Sequence, residues 1–134
     1  VEDLVLTVAA AHDVVFVEGQ ASLTHRVYSG VTLGLLHGCW PDTVVLADDP
    51  DRPNRTHFEQ FDVQGVEGEV ALIEALSDAS VADLSTWGDP AVEAERHNLP
   101  AVNIYDENGP GELLATVQEA LTAGADGTNS GEHR

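Results

Sequence analysis

The sequence has no lysine, no methionine and only one cysteine among its 134 residues. The single cysteine, Cys39, cannot form an internal disulfide, which favours a reducing, cytoplasmic location. No run of about 18 apolar residues occurs, so the sequence predicts no membrane-spanning helix. The length is within the usual size of one domain built around one hydrophobic core.

Positive charge is scarce as well. The chain carries 24 acidic residues against five basic ones, all arginine, and its formal net charge is −19. Such a charge repels phosphate backbones and anionic lipids, so we expect neither a nucleic-acid partner nor a membrane partner. The carboxylates are spread through segments that also carry apolar residues, which indicates a charged coat on a folded surface. A halophilic protein tolerates this coat because concentrated salt screens the repulsion.

Hydrophobic spacing predicts an alternation of helices and strands. The predicted helices cover residues 2–12, 29–38, 66–76, 90–98 and 110–124, and the predicted strands cover residues 13–18, 43–47, 81–87 and 100–105. The first strand is apolar on both faces, which is typical of a parallel sheet covered by helices on each side. Residues 48–65 are polar and predict a long loop. The order predicts a three-layer α/β fold, a parallel sheet with helices on both faces.

Three local signals mark the ends of the predicted helices. Ser29 is expected to cap the second helix through its side chain, and Gly38 is expected to end it. Asp89 followed by Pro90 is expected to open the fourth helix.

The first predicted strand ends in a carboxylate, Glu18, followed by small and polar residues up to His25. In open parallel sheets, ligands bind beyond the carboxyl ends of the strands, and an acid placed there can hold Mg²⁺ beside nucleotide phosphates. The alternative is that Glu18 only caps the next helix. His25 and His37 are candidates for an acid, a base or a substrate ligand. For both histidines the alternative is a ring bonded to nearby backbone.

Further candidates lie at the next helix and in the long loop. Tyr28 and Ser29 offer hydroxyls and free backbone amides at a helix start, which favours an anion. Arg52 and Arg55 are the only clustered cations, and two nearby arginines can bind a carboxylate or a phosphate of a substrate. Salt bridges to the acidic surroundings are the alternative for this pair.

Several of these segments resemble a known family. Phe16–His25 reads FVEGQASLTH, Tyr28–Gly38 reads YSGVTLGLLHG, and Pro41-Asp42 follows. Over about residues 1–122 the chain resembles the C-terminal domain of a P-loop family that includes the bacterial D-glutamate N-acetyltransferases. Its Val17-Glu18-Gly19 core is also similar to a segment of dethiobiotin synthetases and cobyrinate amidases, in which the glutamate binds Mg²⁺ beside ATP.

The resemblance implies a P-loop-type α/β domain whose members acetylate D-glutamate from acetyl-CoA. Glu18 and His25 fall on the family's strongest motif and are the predicted catalytic residues. Glu18 is expected to hold a metal or orient the substrate, and His25 to act as the general base that takes the proton of the attacking amine. The implied binding residues are Gly19, Gln20, Ser22, Tyr28 and Ser29. The expected function is an acyl-CoA-dependent N-acetyltransferase for an acidic amino acid, with acetyl-CoA as co-substrate. The alternatives are an ATP- and Mg²⁺-dependent ligase or amidase of the dethiobiotin synthetase type, which binds a nucleotide, and a non-catalytic partner subunit.

The largest departure from the family is the glycine-rich phosphate loop, whose lysine this chain cannot supply because it has no lysine. We therefore expect residues 1–122 to form the C-terminal part of a larger P-loop-like protein, with residues 123–134 as a disordered tail. The missing loop would come from an upstream region or from a separate P-loop-bearing chain. A homo-oligomer is the further alternative for a partner.

The charge balance predicts salt-dependent stability. Because salt screens the repulsion among carboxylates, we expect the unfolding temperature to fall as KCl is lowered from molar to millimolar concentrations. Thermal unfolding followed by circular dichroism across a KCl series measures this. An unfolding temperature that stays constant, or rises as salt is removed, would contradict a salt-adapted surface.

Overall fold

The structure is a computed structural model that describes residues 1–55 and 57–128, with the side chains of residues 125–128 left out of the description. It contains five helices and five strands within these residues. In chain order they are α1 (Glu2–Ala9), α2 (Ser29–Cys39), β1 (Thr43–Asp48), β2 (Asn54–Arg55), β3 (Phe58–Asp62), α3 (Val66–Leu76), β4 (Ser80–Thr86), α4 (Pro90–His97), β5 (Ala101–Val102) and α5 (Gly109–Thr128). No helix in the described part of the chain is both long enough and apolar enough to cross a membrane.

The main sheet is parallel and has the strand order β1-β4-β5. Helix α5 contacts all three strands, α3 contacts β4, and α4 contacts β4 and β5. The apolar side chains buried between these layers are Val66, Ile73, Ala79, Val81, Leu84, Val102 and Val117. The predicted α/β class, with a parallel sheet flanked by helices, is confirmed.

The signals at the helix ends had different outcomes. Asp89 caps α4 as predicted, since its carboxylate accepts hydrogen bonds from the backbone amides of Ala91 and Val92 at 2.9 and 3.3 Å. The predicted cap of α2 is wrong, because Ser29 is its first helical residue and Tyr28, at the cap position, makes no side-chain cap bond. That helix also continues past Gly38 and ends at Cys39. Trp40, at its C-cap, adopts a left-handed conformation with φ 48°.

The predicted long loop at residues 48–65 contains a small antiparallel sheet instead. Strands β2 and β3 pair with each other, with Asn54 opposite Asp62 and Arg55 opposite Phe58. The prediction of a featureless loop was wrong because Phe58 and Phe61 are spaced by polar residues, which hides the apolar side of a short strand. Their rings pack against residues far away in the sequence.

The strand predicted at residues 13–18 is wrong. Residues 14–20 adopt no regular secondary structure and make no backbone hydrogen bond to the other described residues. The apolar side chains that suggested a buried strand are exposed, with Phe16 at 78% and Val14 at 50%. A strand exists only when a neighbouring strand takes up its backbone groups, and local sequence carries no record of that neighbour.

Three element lengths also differ from the prediction. Helix α1 ends at Ala9 rather than at residue 12, and the strand expected at residues 100–105 is reduced to Ala101–Val102. Helix α5 continues past Gly124 to Thr128, so the predicted helix end is wrong. The remainder of the predicted tail, residues 129–134, lies outside the described residues.

One carboxyl group lies inside the core. Asp83 in the middle of β4 is fully buried, and neither carboxyl oxygen has a hydrogen-bond partner of good geometry among the described residues. Burial raises the pKa of Asp83 above its ordinary value, and the hydroxyl of Thr116 on α5 offsets part of this rise. The folded chain therefore binds the Asp83 proton more tightly than the unfolded chain does.

We predict that Asp83→Asn stabilises the protein at neutral pH by on the order of 1 kcal/mol. The stabilising protonation of Asp83 is complete below the unfolded-state pKa and is lost as pH rises through the raised folded-state pKa. The advantage of the asparagine should therefore be small near about pH 4 and should grow toward about pH 7. Denaturant unfolding at several pH values measures it, with Asp78→Asn at an exposed position as the control. An advantage that does not change with pH would contradict a buried, proton-binding Asp83.

Candidate functional site

The polar loop at residues 22–28 lies at the carboxyl end of the main sheet. Helix α3 connects the parallel strands β1 and β4, so its first turn lies near the carboxyl end of β1. The loop is bonded to that first turn. The β2–β3 hairpin leaves β1 at the same end and packs against the loop from another side. This is the end of a parallel sheet at which ligands bind.

Glu69 holds the loop in place. Its side chain lies in the first turn of α3 and is buried, with the residue only 5% exposed. One carboxylate oxygen accepts the backbone amide of Leu23, and the other accepts the backbone amide of Thr24 at 3.1 Å. The two bonds join residues about 45 positions apart and satisfy two amides that the loop cannot satisfy by itself.

His25 is the buried residue of the loop, 8% exposed. Its ring lies 4.9 Å from the ring of Tyr28 and 5.3 Å from the ring of Phe58, measured between centroids, the second contact being edge-to-face. Its carbonyl accepts the amides of Tyr28 and Ser29, which joins the loop to the start of α2. The predicted site residues His25, Tyr28 and Ser29 are therefore brought together.

The proton position on His25 follows from a further contact. The backbone amide of Val27 donates to Nδ1 at 3.3 Å, so Nδ1 is an acceptor and the neutral ring carries its proton on Nε2. In this arrangement Nε2 donates a hydrogen bond rather than accepting a proton. A role as general base requires Nδ1 to leave the Val27 amide.

Two arginines lie at the loop, Arg26 within it and Arg55 beside it. Arg55 on β2 donates from Nη2 to the hydroxyl of Thr24 at 2.6 Å, and that hydroxyl also lies 3.2 Å from the hydroxyl of Ser22. Arg26 places its guanidinium over the ring of Phe61, 5.1 Å from the centroid. Ser22, a predicted binding residue, is thus in the loop beside Arg55, which the sequence had identified only as half of a cation pair.

Other predicted site residues lie elsewhere. Glu18, Gly19 and Gln20 belong to the exposed irregular segment at residues 14–20, and Arg52 makes an exposed ion pair with Asp49 at 3.3 Å. None of them makes a hydrogen bond or an ion pair with His25 among the described residues. His37 lies at the opposite end of the sheet, where its Nε2 is 3.0 Å from the carbonyl of Leu76, beside a groove lined in part by Trp40 and Ser77. That groove contains none of the loop residues.

Metal binding was predicted for Glu18. Within the described residues, no group of three or more histidine, cysteine, aspartate or glutamate side chains is placed to hold a metal ion. Glu18 therefore belongs to no such group in the part of the chain that the structure describes, and its role as a magnesium ligand stays a prediction.

A second polar cluster lies beyond β4 and joins α3 to α4. His97 has a side chain that is 9% exposed, with Nδ1 2.7 Å from Glu67 and Nε2 3.2 Å from Glu93. Arg96 donates to both carboxylate oxygens of Glu93 at 2.9 Å. The bonds to its own backbone and to His97 lower the pKa of Glu67. The contact between His97 and Glu67 joins α4 to α3.

Asp48 at the carboxyl end of β1 lies near this cluster. Burial raises the pKa of Asp48, the charge of His97 lowers it, and the charges of Glu93 and Asp49 raise it further. Sequence patterns missed both this cluster and the loop-holding Glu69, although a signal was available for each. Glu69 lies on the same helical face as Val66 and Ile73, and His97 follows Glu93 by four residues, so acidic and imidazole groups occupy positions facing inward.

Comparison with known proteins gives the family. Residues 1–114 match the family model described as "Domain of unknown function (DUF1611_C) P-loop domain". The chain belongs to this P-loop domain family. A D-glutamate N-acetyltransferase of Tritonibacter scottomollicae is 34% identical over 113 residues, covering 73% of this chain and 34% of the relative. A D-glutamate N-acetyltransferase of a Pseudoalteromonas species is 51% identical over 42 residues, covering 31% of this chain and 12% of the relative. The chain spans about a third of the length of the first of these relatives.

We predict that Glu69→Ala destabilises the protein by about 1 to 3 kcal/mol, because the part-buried amides of Leu23 and Thr24 lose their acceptor. Denaturant unfolding measures the loss, and hydrogen exchange of these two amides locates it. The matched control is Glu74→Ala, an exposed carboxylate on the same helix, which should change stability by less than about 0.5 kcal/mol. If both amides exchange at the parent rate in Glu69→Ala, Glu69 does not hold the loop.

Proposed function

We propose that this chain is the C-terminal part of an acyl-CoA-dependent N-acetyltransferase whose acceptor is an acidic amino acid, D-glutamate in the first instance. The support is the family membership together with two relatives that carry the name D-glutamate N-acetyltransferase. The single structural observation that carries the proposal is the loop at residues 22–28. It presents a histidine, hydroxyls and arginines at the carboxyl end of the sheet.

The reaction sets a clear requirement for protein groups. The amino nitrogen of the acceptor attacks the thioester carbonyl, so an N–C bond forms and the C–S bond breaks. The acceptor amine must first lose a proton, and the departing thiolate takes one up. Negative charge develops on the carbonyl oxygen during the attack, and a hydrogen-bond donor placed there lowers the barrier.

His25 can serve this reaction in two ways. As placed, its Nε2–H is a donor for the developing oxyanion or for a carboxylate of the acceptor. If Nδ1 leaves the Val27 amide, the ring can accept the proton of the amine, which is the role expected from the sequence. We assign His25 the donor role, because it requires no rearrangement of the loop.

Membership of a P-loop domain family favours one alternative, an ATP- and Mg²⁺-dependent ligase or amidase. In that case acyl transfer would require nucleotide hydrolysis, and Glu18 would hold the metal. The two functions separate in one assay of the protein as its gene encodes it. D-glutamate and acetyl-CoA are supplied with and without ATP and Mg²⁺, and released thiol and phosphate are measured together.

The expected result is thiol release that requires D-glutamate and is unchanged by ATP. Phosphate release that requires the amino acid would support the ligase instead. No acyl transfer in either condition, from protein that is folded and complete, would contradict the proposed function.

Variants at His25 test the catalytic role. We predict that His25→Ala lowers kcat by about 100-fold or more, whereas His25→Gln, which keeps an N–H donor, retains more of the activity. Steady-state thiol release measures both, and His12→Ala, at an exposed position, is the control. Equal losses in the alanine and glutamine variants would favour the general-base role over the donor role. Unchanged turnover in His25→Ala would remove His25 from the mechanism.

A further inference from the structure

Two of the arginines make no ion pair with the residues that the structure describes. Of the four whose surroundings the structure describes, Arg52 pairs with Asp49 at 3.3 Å and Arg96 pairs with Glu93 at 2.9 Å. Arg26 and Arg55 have no carboxylate of a described residue within ion-pair distance. This is unexpected in a chain with 24 acidic and five basic residues, where almost any exposed cation has carboxylates nearby.

The two arginines border the same pair of stacked rings. Phe58 and Phe61 on β3 lie 6.5 Å apart between centroids at an interplanar angle of 17°. Arg26 covers the ring of Phe61, and Arg55 lies opposite Phe58 across the hairpin. The ring of Phe58 in turn contacts His25. Arg26 stacks on one of the two rings and Arg55 is paired in the hairpin with the residue that bears the other, so both arginines lie near the candidate catalytic histidine.

Both arginines are also positioned in advance. Arg55 is half-buried and uses Nη2 to bond Thr24 at 2.6 Å, within the loop that Glu69 holds. A guanidinium has five N–H donors, so most donors of Arg55 remain for another group. Stacking of Arg26 on Phe61 leaves the edge of its guanidinium available for hydrogen bonds. A guanidinium group of this kind matches a carboxylate or a phosphate in shape and charge.

We propose that Arg26 and Arg55 form a subsite for an anionic group of the substrate, beside His25. The anion is a carboxylate of the acceptor amino acid or a phosphate of the acyl-CoA. The naming of these two sources rests on the proposed function, whereas the anion subsite itself rests on the arginines alone. This subsite replaces the pair Arg52 and Arg55 expected from the sequence.

The acidic surface affects how this subsite must work. The net charge of −19 repels anions at long range, and the exposed Glu59 and Asp62 lie on the same hairpin. Molar salt screens this long-range repulsion, whereas hydrogen bonds at contact distance are screened less. Anion binding should therefore persist in concentrated KCl, where the protein is expected to be most stable.

The test is direct binding to the 134-residue chain in molar KCl. D-glutamate, coenzyme A and inorganic phosphate are titrated separately by isothermal calorimetry, and the same titrations are repeated on Arg26→Gln, Arg55→Gln and the two lysine variants. Each glutamine substitution should raise the dissociation constant of the bound anion by about tenfold or more. The lysine variants should lose less affinity for the anion, because they keep the positive charge. They should still lose some, because lysine lacks the planar donor group of arginine.

Two comparison variants locate the effect. Arg134→Gln changes the net charge by the same amount and should leave binding unchanged. Arg52→Gln tests the pair Arg52 and Arg55 expected from the sequence against the pair Arg26 and Arg55 seen in the structure. A loss of anion binding confined to Arg52→Gln would overturn the subsite. Arg26 makes no hydrogen bond among the described residues, so Arg26→Gln should fold even if Arg55→Gln does not.

The pattern of losses identifies the anion. A loss of D-glutamate binding alone supports the subsite with a carboxylate, and a loss of coenzyme A and phosphate binding supports it with a phosphate. Binding that is equal in the parent, Arg26→Gln and Arg55→Gln, or the absence of any binding to the parent, overturns the subsite. Arginine-dependent binding, with no acetyl transfer by the protein as its gene encodes it, would remove the proposed function and keep the subsite. Acetyl transfer with unchanged KM values in Arg26→Gln and Arg55→Gln would support the proposed function and overturn the subsite.

Discussion

The carboxylate of Glu69 is the interaction on which the candidate site depends. It accepts two backbone amides of the loop at residues 22–28 and so ties that loop to the first turn of α3. Because α3 is the connection between two parallel strands, this bond also fixes the loop to the carboxyl end of the sheet. The contacts of His25 with Tyr28 and Phe58, and the bond from Arg55 to Thr24, all require the loop to be there. The two amide donors offset part of the desolvation cost of burying this carboxylate.

The net charge of this molecule and the contacts of its individual arginines act at different distances. At long range the net charge of −19 repels anions, and salt screens this repulsion. At short range, arginine is used in two different ways. Arg96 satisfies the buried Glu93 and so supports a helix contact, while Arg26 and Arg55 lie against aromatic rings and a hydroxyl without a carboxylate among the described residues. A globally acidic protein can therefore still present a local group of donors for an anion.

The family match and the structure give different information about this chain. The match covers residues 1–114 and identifies a P-loop domain, while the chain spans about a third of the length of its first relative. The parallel sheet, its flanking helices and the loop held by Glu69 are present within this chain. The exposed apolar segment at residues 14–17 is the part whose sequence pattern and environment disagree most. Its backbone groups have no strand partner among the described residues, and an apolar strand is stable only with one.

The sequence by itself determined the elements whose signals are local: the α/β alternation, the strands β1 and β4, and helix α4 with its Asp89 cap. It also placed Ser22, His25 and Tyr28 in one short polar segment, and their role as site residues stays a prediction. Tertiary structure alone decided that residues 13–18 form no strand, that a hairpin occupies the expected loop, and that Arg55 bonds the loop at residues 22–28 while Arg52 pairs with Asp49. It alone brought Glu69, Phe58 and Phe61 to that loop. The contacts of this loop with Arg55, Phe58, Phe61 and Glu69 join residues about 30 or more positions apart. Residue spacing records which face of an element is apolar, but it does not record which distant backbone group or ring will meet that face.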